Sequence, residues 1–91
     1  MITLEQLRTD INDIDEVIVS LLYVRMDVSR QIAGYKKDYA VEIVNLEREK
    51  EVKKKCIELA KSKGLDEDFV SKVYDLIILE SRKVQQDTLS K

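Results

Sequence analysis

TLEQLRTDINDIDEVIVSLLYVRMDVSRQIAGYKK, from Thr3 to Lys37, is the stretch around which the rest of this chain is organised. Leu4, Leu7, Ile11, Ile14, Ile18 and Leu21, then Val28, Ile32 and Tyr35, recur at spacings of three and four, the period of a buried helical seam. The stretch has no proline, its one glycine is Gly34 near the end, and Thr3 with Gln6 makes a capping box at the start. Such a helix of about 35 residues is roughly 50 Å long. A compact globule of this chain length has a radius of gyration of only about 12 Å. One chain therefore cannot enclose its own first helix, and the reading predicts a second copy that completes the apolar face, an intertwined homodimer with a shared core. Arg25 breaks the seam. A charge at that position either sits beside a hydrophobic interface at a cost of several kcal/mol or is there to meet an anion.

Composition narrows the function. The chain has 91 residues, enough for one small domain, with 44% hydrophobic and 37% charged residues, the balance of a soluble helical bundle. A net charge of −2 argues against a nucleic-acid surface. There is no run apolar enough for a membrane span, and Thr3, Glu5 and Arg8 interrupt any signal-like amino terminus, so the expected place is the cytoplasm. There is no histidine, and Cys56 is the one cysteine, on a helical apolar stripe where it belongs to the core. Disulfide frameworks, zinc sites and imidazole chemistry are thereby excluded, and neither metal nor cofactor is expected.

Two shorter helices follow a connection from Asp38 to about Val44. The second runs from Asn45, a good N-cap, to Lys63, with Gly64 placed to end it. Its inward stripe is Asn45, Glu49, Val52, Cys56 and Leu59. The third begins at Asp66, and its stripe is Val70, Val73, Tyr74, Ile77, Ile78, then Ser81, Val84 and Gln85. Nothing alternates with period two, so the fold class is all-α: one long helix and two shorter ones.

Polar residues break each stripe from the buried side: Arg25 and Lys36 in the first helix, Asn45, Arg48 and Glu49 in the second, Ser81 and Gln85 in the third, with Arg8 just off the seam. Singly, each has a plain explanation: a cap, a helix end turning to water, an arginine that fixes register. Jointly they describe a desolvated pocket for a small polyanion that carries hydroxyl or ether oxygens. Arginine suits carboxylates because its planar fork donates two parallel hydrogen bonds.

At these residues the chain resembles the all-helical chorismate mutases of the AroQ class. The resemblance runs through LRTDINDID (Leu7 to Asp15), Arg25, GYKK (Gly34 to Lys37), NLEREK (Asn45 to Lys50) and LIILESRKVQQ (Leu76 to Gln86). It implies one dimeric domain that rearranges chorismate to prephenate on the way to phenylalanine and tyrosine. It further implies that Arg8 reaches the partner subunit's site, that Arg25 and Arg48 bind carboxylates, and that Lys36 and Gln85 hydrogen-bond the ether oxygen. Glu49 would then lie near the ring hydroxyl and Ser81 at a substrate carboxylate. Asn45 stands where the bacterial pattern often has Asp. Two alternatives are an isochorismate pyruvate lyase on the same scaffold and a non-catalytic regulatory helical dimer module.

Overall fold

Each helix begins where a side-chain oxygen meets an otherwise unpaired backbone N–H. The computed structural model describes residues 1–90. In it Thr3 starts α1 (Leu4–Asp38) with a reciprocal capping box: Gln6 N–H donates to Thr3 Oγ1 at 3.1 Å, and Thr3 N–H donates to Gln6 Oε1 at 2.9 Å. Asn45 Oδ1 accepts from Arg48 N–H at 3.1 Å and starts α2 (Leu46–Ser62). Asp66 Oδ1 accepts from Phe69 N–H at 3.0 Å and starts α3 (Glu67–Leu89). No strand occurs among the described residues.

The ends of α1 and α2 share one geometry. After α2, Leu65 N–H donates to Ala60 C=O and Gly64 N–H to Lys61 C=O, with Gly64 at φ +69°. After α1, Val41 N–H donates to Lys36 C=O and Ala40 N–H to Lys37 C=O, with Ala40 at φ +54°. Both are Schellman closures with a left-handed residue just past the helix. Glycine adopts that conformation freely at the second; at the first, an alanine carries the strain.

Helix α3 packs against both of the others, whereas α1 and α2 do not pack on each other. Ser29 and Ala33, one turn apart on α1, are buried, as are Ala60 of α2 and Val70, Ile78, Val84 and Gln85 of α3. Small side chains on α1 let α3 approach closely.

One expectation needs correction: Leu59, placed on the inward stripe of α2, is exposed. The seam of α1 is left uncovered in the single chain, as expected of a helix that one chain cannot enclose: Leu4, Leu7, Ile11, Ile14, Ile18 and Leu21 keep between 49% and 63% of their surface exposed, and Val28, Ile32 and Tyr35 are exposed too. The physical reason is length. The molecule extends 58 × 27 × 15 Å with a radius of gyration of 16.6 Å, and α2 and α3 are too short to cover the whole of α1.

The two closures give a paired test. Gly64→Ala is expected to lower unfolding stability by about 1 kcal/mol, the cost of a left-handed L-residue, and Ala40→Gly to raise it by a similar amount. Denaturant melts of both variants check this, and two shifts of the same sign would contradict it.

Candidate active site

The space that α3 leaves between α1 and α2 is a cavity of about 430 Å³, within the roughly 300–1,000 Å³ of small-molecule sites. Its walls follow from helical periodicity. Arg25, Ser29, Ile32 and Lys36 succeed one another at steps of four, three and four, so one face of α1 presents them all. Asn45, Arg48 and Glu49 come from the first turn of α2 and its cap. Ile78, Ser81, Arg82 and Gln85 form the facing stripe of α3.

Of the eight residues singled out in the sequence, seven line this one cavity: Arg25, Lys36, Asn45, Arg48, Glu49, Ser81 and Gln85. Arg8 does not. It precedes Arg25 on the same straight helix by roughly 25 Å at the α-helical rise, so no arrangement within one chain brings it there.

The cations differ in how they are occupied. Arg25 is half-buried and has no acidic partner among the described residues. Lys36 Nζ donates to the Ile43 carbonyl at 2.6 Å, which ties the connection after α1 to the cavity wall and leaves two ammonium hydrogens for other acceptors. Arg48 leans to the rim, with Nη1 3.2 Å from Glu51 Oε2 in an exposed pair of small energetic consequence. Arg82 Nε donates to Glu49 Oε2 at 2.7 Å while its Nη2 donates to Glu49 Oε1, a two-point grip between α3 and α2. That hydrogen-bonded guanidinium holds the Glu49 carboxyl below the ordinary carboxylate range, partly opposed by burial and aided by the charges of Arg82 and Lys36. The same contact raises Arg82 further above its already high value. Glu49 is therefore an anion and only accepts hydrogen bonds.

The neutral groups form a directed chain. Ser29 Oγ donates to the Arg25 carbonyl at 3.1 Å, which uses its only hydrogen. At 2.7 Å, Ser81 Oγ must then be the donor to Ser29 Oγ. Gln85 Nε2 in turn donates to Ser81 Oγ at 3.4 Å. Gln85 is 7% exposed, and its Oε1 is buried with no hydrogen-bond partner among the described residues. A buried amide left partly unpaired costs about 1–3 kcal/mol, so it marks a place where polar capacity is held for something else.

Sequence reading missed two of these residues. Ser29 lies four residues after Arg25 and seven before Lys36, a spacing that places it on their face, but a small polar residue gives no charge signal. Arg82 lies four residues after Ile78 and three before Gln85, and that spacing was the available clue. Cys56 is a free, half-buried thiol that does not line the cavity. No group of three or more His, Cys, Asp or Glu among the described residues is arranged to hold a metal ion. Chemically the cavity can bind a small anion at several points and place amide and ammonium donors around it.

Comparison with known proteins follows the same lines. Residues 7–86 match the family model for chorismate mutase type II. Over 84 residues the chain is 37% identical to a bifunctional chorismate mutase/prephenate dehydratase of Buchnera aphidicola subsp. Acyrthosiphon pisum, covering 92% of this chain and 22% of that protein. Over 88 residues it is 31% identical to a 4-amino-4-deoxychorismate mutase of Streptomyces venezuelae, covering 97% and 85% of the two. Over 86 residues it is 27% identical to a chorismate mutase of Methanocaldococcus jannaschii, covering 94% and 87%. The chain thus spans about a fifth of the bifunctional relative and most of the other two.

The Glu49–Arg82 pair has a signature in pH. A carboxyl whose value is lowered by folding stabilises the fold above the unfolded glutamate value of about 4.3, and loses that contribution as pH falls through the lower folded value. Wild type is therefore expected to melt above Glu49→Gln at pH 7, with the gap closing toward pH 3. A gap that stays constant over that range would show that ionisation of Glu49 is not what the pair depends on.

Proposed function

This chain belongs to the chorismate mutase type II family, and from that premise we propose that it rearranges chorismate to prephenate in the synthesis of phenylalanine and tyrosine. One observation carries the reading: Arg25, Lys36, Arg48 and Gln85, from three different helices, line a single cavity of small-molecule size. The reaction is a concerted shift in which the ether carbon–oxygen bond breaks as a carbon–carbon bond forms between the enolpyruvyl methylene and the ring. No proton is transferred, and no nucleophile is needed.

What the protein must supply is conformation and charge. Chorismate is a flexible dianion, and the enolpyruvyl arm has to fold over the ring. Arg25 and Arg48 hold its carboxylates, with Arg8 of a second copy as a third contact; the Ser81 hydroxyl reaches one of them by turning its single hydrogen from Ser29 to the ligand. Fixing a near-attack conformer in this way removes several kcal/mol of entropic barrier. As the ether bond lengthens, negative charge grows on its oxygen. Lys36 has free ammonium hydrogens, and Gln85 has a second amide hydrogen beyond the one given to Ser81; both serve as preorganised donors there. Asn45 and the ionised Glu49 remain to meet the ring hydroxyl.

The dimer is part of the same proposal. The seam of α1 is an exposed apolar face running the length of the helix, and a second copy laid along it removes that face from water and carries Arg8 from the far end of one helix into the other copy's cavity. The reading treats the chain as one domain acting in the cytoplasm; no helix among the described residues is long and apolar enough to cross a membrane.

The deciding experiment follows chorismate absorbance with the isolated protein and identifies the product by chromatography. Prephenate is expected; no consumption of chorismate, or release of pyruvate, sinks the reading. Arg25→Ala is expected to lose at least about a hundredfold in turnover while still sedimenting as a dimer. Gln85→Glu tests the donor: a glutamate must be protonated to donate, whereas an amide donates throughout, so the variant's optimum is expected to move to acid pH. An unchanged pH profile would remove Gln85 from the ether oxygen.

A further inference from the structure

Glu49 is the only acidic side chain among the described residues lining the cavity, and it is already engaged. Arg82 reaches it across the α2–α3 junction with two hydrogen bonds, Nε to Oε2 at 2.7 Å and Nη2 to Oε1. The two side chains keep 21% and 31% of their surface, so the pair sits in the wall and is not dispersed in solvent. A fork-to-fork contact of this kind fixes both oxygens of the carboxylate. The other charged groups of the lining are cations: Arg25 and Lys36 in the wall, and Arg48 at the rim, where it pairs with Glu51.

A cavity so arranged distinguishes ligands by charge. Chorismate carries two carboxylates and a neutral ring hydroxyl. Its 4-amino-4-deoxy analogue carries the same carboxylates with an amine in place of that hydroxyl, protonated at neutral pH. An ammonium entering a partly desolvated site needs a free carboxylate, and costs several kcal/mol without one. Here Arg82 already compensates the charge of the single carboxylate: its remaining lone pairs can accept from a neutral hydroxyl, but it offers no uncompensated negative charge to an ammonium, and the cations of the lining repel the group. We propose that Arg82 is a positioning residue that determines specificity, and that by occupying Glu49 it makes this cavity accept the hydroxyl-bearing dianion and reject its amino analogue. The proposal rests on the mutase reading given above and adds to it the choice of substrate.

Arg82 has a second effect through the same contact. Lys36 also lies within electrostatic reach of Glu49. Without Arg82 only the charge of Lys36 is left to offset Glu49: the pull on Lys36 weakens a donor to the ligand, and the carboxylate, no longer held at both oxygens, is open to an ammonium.

The test compares kcat/KM for chorismate and for 4-amino-4-deoxychorismate in wild type, Arg82→Gln, Arg82→Lys and the double variant Arg82→Gln with Glu49→Gln. Wild type is expected to favour chorismate. Arg82→Gln is expected to swing the ratio toward the amino substrate by about tenfold, equivalent to roughly 1.4 kcal/mol, through a lower KM for the amine and a lower kcat for chorismate. Arg82→Lys keeps the cation and retains most of the preference. The double variant has no carboxylate to attract an ammonium and regains it. A merely structural role would depress both substrates alike and leave the ratio fixed, which would overturn the proposal, as would a wild type that prefers the amine. The wild-type comparison needs no variant to fold. Failure of wild type on both substrates would instead overturn the mutase reading, and the specificity proposal with it.

Discussion

The arrangement depends on one constraint of packing: α3 touches both other helices, and those two do not touch each other. Ser29 and Ala33 set how closely α3 lies on α1, and Ala60 and Val70 are buried where α2 and α3 meet. The cavity is the consequence, a space bounded on three sides by helix faces and lined where the apolar stripes give way to polar residues. Four cations share it with one carboxylate. Mutual repulsion among the cations is tolerated because Lys36 is bonded to a backbone carbonyl, Arg48 leans to solvent and Arg82 is paired, leaving Arg25 as the half-buried charge without an acidic partner. An anion placed there relieves that repulsion.

Much of this was legible in the residues. The three helices and their starts could be read because capping chemistry is local: Thr3, Asn45 and Asp66 each bond a backbone N–H three residues on, and no tertiary contact is needed to foresee it. The end of α2 was visible in Gly64. The end of α1 was read to within a residue from the break in period after Lys37, but its left-handed closure was not, since Ala40 adopts that conformation without the residue type that announces it. Arg25, Lys36, Glu49, Ser81 and Gln85 were conspicuous because each interrupts an apolar period.

Arg82 was harder for a physical reason. Its partner is 33 residues away on another helix, so its importance lies in the register of α2 against α3, which periodicity within one helix does not encode. Ser29 is a similar case. Burial of a serine looks unremarkable until Ser81, 52 residues on, is found against it. The seam of α1 shows the converse. Its period was evident, but the cover it requires is longer than this chain can supply, and a single copy leaves it in water.

The absence of direct contact between α1 and α2 has a mechanical meaning. Arg25 and Arg48 are related only through α3 and through the short connection that Lys36 ties to Ile43, whereas each lies on a helix packed directly against that of Ser81. A dianion bonded at both ends would act as a strut between those two helices, adding a cross-link that the polypeptide itself does not make.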